Sequence, residues 1–126
     1  MKQVILVVED NERNRKLVRT ILKFRGFDVV ECEDGESALG LAKQHRPALV
    51  LMDIELPKID GIATLKILRA DPETSAIPVV AVTASVTSVE RERVTAAGFD
   101  GYLSKPIDID EFNRMVDRFA GPGGAT

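Results

Sequence analysis

Glu9-Asp10, Asp53, Thr83 and Lys105 each stand directly behind a short run of strand character: Val4 to Val8, Ala48 to Met52, Val79 to Val82 and Gly101 to Ser104. If those runs lie side by side, carboxylates distant in sequence meet at one sheet edge. Two carboxylates 4 Å apart repel by roughly 1 kcal/mol in water and about 4 kcal/mol at an effective dielectric of about 20, so something positive must compensate. An all-oxygen cluster without His or Cys suits a hard cation, and one with few carboxylates and retained waters suits Mg²⁺ better than Ca²⁺. Lys105 offers a second, covalently fixed positive charge, and Thr83 a hydroxyl donor. Around Asp53 these are the parts of phosphoryl transfer: cations to neutralise oxygen charge, a donor to hold one oxygen, and a carboxylate nucleophile. Leu56-Pro57 and Asp60-Gly61 bracket a tight loop after Asp53 that can turn the Glu55 backbone carbonyl toward a metal. Lys105-Pro106 is a candidate cis peptide. Any open parallel sheet exposes polar groups at its carboxyl edge, which would account for one isolated Asp; Asp10 and Asp53 together ask for more.

The elements that must position these residues are legible as an alternation. Val4 to Val8 is apolar on both faces, as a buried parallel strand requires. Asn11 is an N-cap for an amphipathic helix carrying Leu17, Val18, Ile21 and Leu22 and ending at Gly26. A strand follows at about Asp28 to Glu31, then a helix from about Glu36 to Gln44 capped by Asp34, and Pro47 separates it from the strand Ala48 to Met52. Asp60-Gly61 opens a third helix to about Ala70, broken by Asp71-Pro72, and Pro78 precedes the strand Val79 to Val82. Thr87 and Glu90 have capping-box spacing for a fourth helix ending at Gly98, and Asp108 with Glu111 for a last one to about Phe119. Five strands alternating with five helices predict an α/β doubly wound parallel sheet in the flavodoxin-like order 2-1-3-4-5, with ligands at the switch point between strands one and three.

The 126 residues suit one domain, residues 1–120, followed by a tail, 121–126, too rich in glycine to pack and expected to be disordered. No apolar run reaches the ~20 residues of a membrane helix, and the start is too quickly acidic for a signal peptide. A cytoplasmic protein without membrane insertion is expected. The net charge of -3 argues against nucleic acid as main partner, although six of the 17 basic residues fall between Glu12 and Phe27. That stretch is read either as a solvated helix face or as one that steers an acidic partner. Cys32, the single cysteine, is expected to have no redox role, and His45, the single histidine, to lie at the surface.

Four co-linear segments carry a resemblance: Val8-Glu9-Asp10-Asn11-Glu12, Leu51-Met52-Asp53-Ile54-Glu55-Leu56-Pro57-Lys58-Ile59-Asp60-Gly61, Val80-Ala81-Val82-Thr83-Ala84 and Tyr102-Leu103-Ser104-Lys105-Pro106-Ile107. From about Val4 to Phe119 the chain resembles the receiver domain of two-component response regulators, especially stand-alone receivers of the cell-division regulator type and those attached to hybrid kinases. The resemblance implies a phosphoacceptor signalling protein, not a turnover enzyme, that promotes its own phosphorylation and dephosphorylation. Asp53 would take the phosphoryl group from a phosphohistidine of a histidine kinase or histidine phosphotransferase, as a terminal switch or a relay. Mg²⁺ would be bound by Asp10, Asp53 and the Glu55 carbonyl, with Glu9, where family members often have a second aspartate, acting through water. Thr83 and Lys105 would contact the phosphoryl oxygens, and Tyr102 would be the aromatic switch that follows Thr83. Glu55 and Ser85 would tune the phosphoryl lifetime. The surface of helix four, strand five and helix five would read the change out to a downstream protein.

Three other readings compete. Asp53-Ile54-Glu55 superficially resembles the nucleophile motif of haloacid-dehalogenase phosphatases, which however place it after the first strand and need a longer chain. A flavodoxin-type carrier shares the fold, but Glu9-Asp10-Asn11-Glu12 would repel a phosphate unless a metal intervened, and no G-x-x-x-x-G-K-[ST] run marks a nucleotide site. A receiver-like scaffold that binds partners without phosphorylation would not need Asp10, Asp53, Thr83 and Lys105 intact.

Overall fold

In a computed structural model the described residues are 3–84 and 87–121. Five parallel strands, β1 (Val4–Val8), β2 (Asp28–Cys32), β3 (Leu49–Asp53), β4 (Val79–Thr83) and β5 (Gly101–Ser104), form one sheet in the order β2-β1-β3-β4-β5. The helices between and after them are α1 (Glu12–Phe24), α2 (Ala38–His45), α3 (Gly61–Ala70), α4 (Ser88–Ala97) and α5 (Ile109–Ala120). The predicted class and strand order are those observed.

Strand residues alternate between two cores, because successive side chains point to opposite faces. Ile5, Val7, Leu49, Leu51, Val80 and Val82 pack with Val18 and Leu22 of α1 and Phe112 and Val116 of α5. Leu6, Val8, Val50, Met52 and Val79 pack on the other side with Ala38 and Ala42 of α2 and Leu65 and Leu68 of α3. With both faces covered, β3 and β4 are buried along their whole length, so the polar residues ending them are held by a rigid base.

Local capping sets where four helices begin. Asn11, Asp60, Thr87 and Asp108 each accept a hydrogen bond from the backbone N–H three residues on, satisfying donors that the first turn leaves open. Gly98 ends α4 in the left-handed conformation, φ 103°. The start expected for α2 differs: Asp34 does accept from the Ser37 N–H at 2.8 Å, but this closes a turn, and the helix begins at Ala38. β2, β3 and β4 run one residue further than expected, so that Asp53 and Thr83 are strand residues. Sheet pairing extends them: Asp53 lies opposite Val82, Thr83 opposite Ser104, and the Glu9 N–H bonds to the Cys32 carbonyl at 3.0 Å. The tail beyond 121 lies outside the described residues.

Candidate phosphoryl-acceptor site

The carboxyl ends of β1, β3, β4 and β5 bring the sequence-predicted residues to one edge. Glu9 is 5% exposed and Asp53 2%, whereas Asp10 faces solvent. One carboxylate oxygen from each of these three residues lies within 4.8 Å of the others. Lys105 reaches in from beyond β5, its Nζ 2.8 Å from Glu9 Oε1 and 3.1 Å from Asp53 Oδ2. The other oxygen of Asp53, Oδ1, accepts the Glu55 N–H at 2.9 Å. Thr83 is fully buried, and its hydroxyl lies 3.4 Å from Glu55 Oε1. Lys105-Pro106 is cis. Tyr102 is half-buried on β5 beside Ile54, Ala81 and Val94, with the Arg91 guanidinium of α4 5.3 Å from its ring centre. Ser85 lies outside the described residues.

Gly61 makes the floor of the site possible. A Cβ at this position would come within 2.4 Å of the Asp53 carbonyl oxygen and 2.8 Å of Ile54 Cα. Both are backbone atoms that cannot swing aside. The α3 N-terminus therefore sits against the strand end that carries Asp53, with the Gly61 N–H bonded to the Ile54 carbonyl at 3.0 Å.

The charge balance follows from burial and proximity. Burial, with Asp53 alongside, pushes the Glu9 carboxyl up to about 7, and the bonds from Lys105 and the Asn11 N–H pull only partly the other way. For Lys105, burial opposes its charge, but the bond to Glu9 and the attraction of Asp53 and Glu9 outweigh it and raise its pKa. One ammonium between two carboxylates leaves negative charge over, and the donor set is all oxygen. Such a cluster has room for a further hard cation, and its chemistry fits Mg²⁺.

Two features were not read from sequence. Arg15 of α1 donates from Nη1 to the carbonyls of Glu9 at 2.8 Å and Asp10 at 3.2 Å, while pairing with Glu31 and Glu33. Arg19 grips both oxygens of Glu31, at 3.0 and 2.8 Å. The four-residue spacing of the arginines and two-residue spacing of the glutamates put each pair on one face, and that was the available signal. Of the six basic residues between Glu12 and Phe27, Arg15, Arg19 and Arg25 are engaged with Glu31, Glu33 and Asp117. Arg13, Lys16 and Lys23 make no ion pair among the described residues and remain exposed. His45 is exposed, and burial pushes the Cys32 thiol up to about 11, leaving it protonated at neutral pH.

Comparison with known proteins decides the family, for the response regulator receiver domain matches residues 5–117. The chain belongs to that family. Among curated receivers it is 40% identical over 121 residues to the polar-differentiation response regulator DivK of Brucella anthropi, covering 96% of this chain and 98% of that one. The DivK of Brucella ovis is 39% identical over the same length. Among solved receivers, that of the sensor histidine kinase PA1611 of Pseudomonas aeruginosa, which has magnesium coordinated in its active-site cleft, superposes with a TM-score of 0.88. It is 34% identical and the match covers 96% of this chain and 99% of that one. This receiver is thus a two-component response regulator domain, a signalling protein whose family role is phosphoryl acceptance. None of its described helices is long and apolar enough to cross a membrane.

Proposed function

We propose that Asp53 is the phosphoacceptor of this receiver and takes its phosphoryl group from a phosphohistidine of a histidine kinase or histidine phosphotransferase. The supporting observation is the Lys105 ammonium, which joins Asp53 Oδ2 and Glu9 Oε1 inside a cluster of carboxylates that lie within 4.8 Å of one another. An Asp53 oxygen attacks phosphorus, an O–P bond forms, the P–N bond to the imidazole breaks, and its electron pair stays on the leaving nitrogen. Lys105 is already in place to neutralise charge on the transferred oxygens. The Thr83 hydroxyl, near Glu55 in this state, turns to donate to one of them.

Asp10, Asp53 and the Glu55 carbonyl would hold Mg²⁺, with Glu9 contributing through water. Bound there, the ion would supply charge neutralisation that one ammonium cannot. Hydrolysis of the aspartyl phosphate returns Asp53 to its free form within the same residues, so the chain promotes both its phosphorylation and its dephosphorylation without turning over an external substrate. Glu55 and Ser85 tune the lifetime of the aspartyl phosphate.

Phosphorylation replaces the single carboxylate charge of Asp53 with a phosphoryl group carrying about -1.5 to -2. Movement of Thr83 makes room for Tyr102, and the α4, β5 and α5 surface presents the result to a downstream protein or the group passes on to a further histidine. We assign the switch to residues 1–120 and place it in the cytoplasm with no nucleic-acid partner. Replacing Asp53 tests the reading. Asp53→Asn is expected to abolish labelling by a small phosphodonor in the presence of Mg²⁺, and undiminished labelling would contradict it.

A further inference from the structure

The turn between β1 and α1 is braced from outside by a side chain that phosphoryl chemistry does not use. Arg15 is 13% exposed. Its Nη1 spans two consecutive carbonyls, those of Glu9 and Asp10, at 2.8 and 3.2 Å. Its Nε and Nη2 face Glu31 at 3.6 Å and Glu33 at 3.3 Å. Glu31 is itself fixed by Arg19 through both carboxylate oxygens. The result is a chain of charge-assisted contacts from β2, through α1, to the two peptide groups that carry the acidic pair. Fixing both carbonyls fixes the peptide planes, and with them the directions in which the Glu9 and Asp10 side chains leave the backbone.

We infer that Arg15 is a positioning residue for the divalent cation: it holds the Glu9-Asp10 backbone in the orientation that Mg²⁺ requires, so that the ion does not have to order the turn when it binds. The inference rests on the metal site proposed above. It also runs against simple electrostatics, and this makes it testable by sign. A guanidinium beside a Mg²⁺ site repels the ion, so removing only its charge would tighten binding. Removing a group that orients metal ligands weakens it, typically by 10-fold or more.

The experiment is a calorimetric titration of the full chain with MgCl₂, together with thermal melts in EDTA. Arg15→Ala is expected to weaken Mg²⁺ binding by about 10-fold. Arg15→Lys, which keeps the charge but cannot span both carbonyls and both glutamates, is expected to weaken it less. Glu33→Gln leaves the carbonyl contacts in place and should bind Mg²⁺ like the unaltered chain. The EDTA melts identify any variant that is not folded, and Arg15→Lys then carries the comparison. Unchanged or tighter Mg²⁺ binding by folded Arg15 variants overturns the inference while leaving the metal site intact. An unaltered chain that takes up no Mg²⁺ overturns the site itself, and this inference with it.

Discussion

Lys105 carries the charge logic of the site, because it alone among the described cations lies within ion-pair distance of both buried carboxylates. One ammonium cannot satisfy two carboxylates in a desolvated cluster, and Glu9 bears the difference: burial and Asp53 raise it from 4.5 to about 7. Between those two values the folded, metal-free chain keeps a proton on Glu9 that the unfolded chain has released. Its contribution to stability is present in full below 4.5 and is lost as the pH rises through about 7. A ligand that binds only the folded chain counteracts this, and the metal competes with the proton for the same carboxylates. Thermal melts in EDTA are therefore expected to fall from mildly acidic to neutral pH, and Mg²⁺ to abolish most of that fall. Glu9→Gln should flatten the EDTA profile; a profile that is flat with Glu9 intact would contradict the assignment. The acidic pair, Asp53, Thr83 and Lys105 were all legible as residues, since each ends or follows an apolar run. That Glu9 would be engaged by Lys105 was not, because the contact exists only once β1 and β5 are placed in the sheet.

At the scale of elements, helix caps and strand order were legible, and the exact ends of some elements were not. Asn11, Asp60, Thr87 and Asp108 cap the helices that their spacing predicts, because an N-cap bond joins residues three apart and needs no tertiary context. The carboxylate of Asp34 bonds locally too, but to a turn, and only packing of Ala38 and Ala42 on the sheet defines where α2 starts. The extra strand residues at Asp53 and Thr83 come from ladder bonds to neighbours distant in sequence. Gly61 joins these two scales. Gly61→Ala would drive a Cβ against the Asp53 carbonyl oxygen, 2.4 Å away, and overpacking against backbone costs about 1–3 kcal/mol. Denaturant unfolding should register that loss, and phosphodonor labelling should slow beyond it because the shift moves the strand end that bears Asp53. Unaltered stability and labelling would show that α3 can retreat without disturbing the site.

For the molecule as a whole, the net charge of -3 averages over a carboxylate cluster at one sheet edge and a first helix whose Arg15 and Arg19 are paired with Glu31 on β2 and Glu33 just after it. In the proposed switch the signal starts at Asp53 and runs along the polar edge of the sheet, from Thr83 at the end of β4 to Tyr102 on β5. Tyr102 is the only tyrosine and the chain has no tryptophan, so intrinsic tyrosine emission reports on this one ring. Phosphorylation is expected to draw the ring inward, away from Arg91, and to reduce its quenching by acrylamide. Identical quenching before and after phosphorylation would remove Tyr102 from the switch. The most direct test of the central claim is the position of the phosphoryl group itself. The chain is treated with acetyl phosphate and Mg²⁺, the acyl phosphate is trapped by borohydride reduction, and the modified residue is located by peptide mass spectrometry. A single modification at Asp53 is the expected result; modification at another carboxylate, or none in the folded, Mg²⁺-loaded chain, would contradict it.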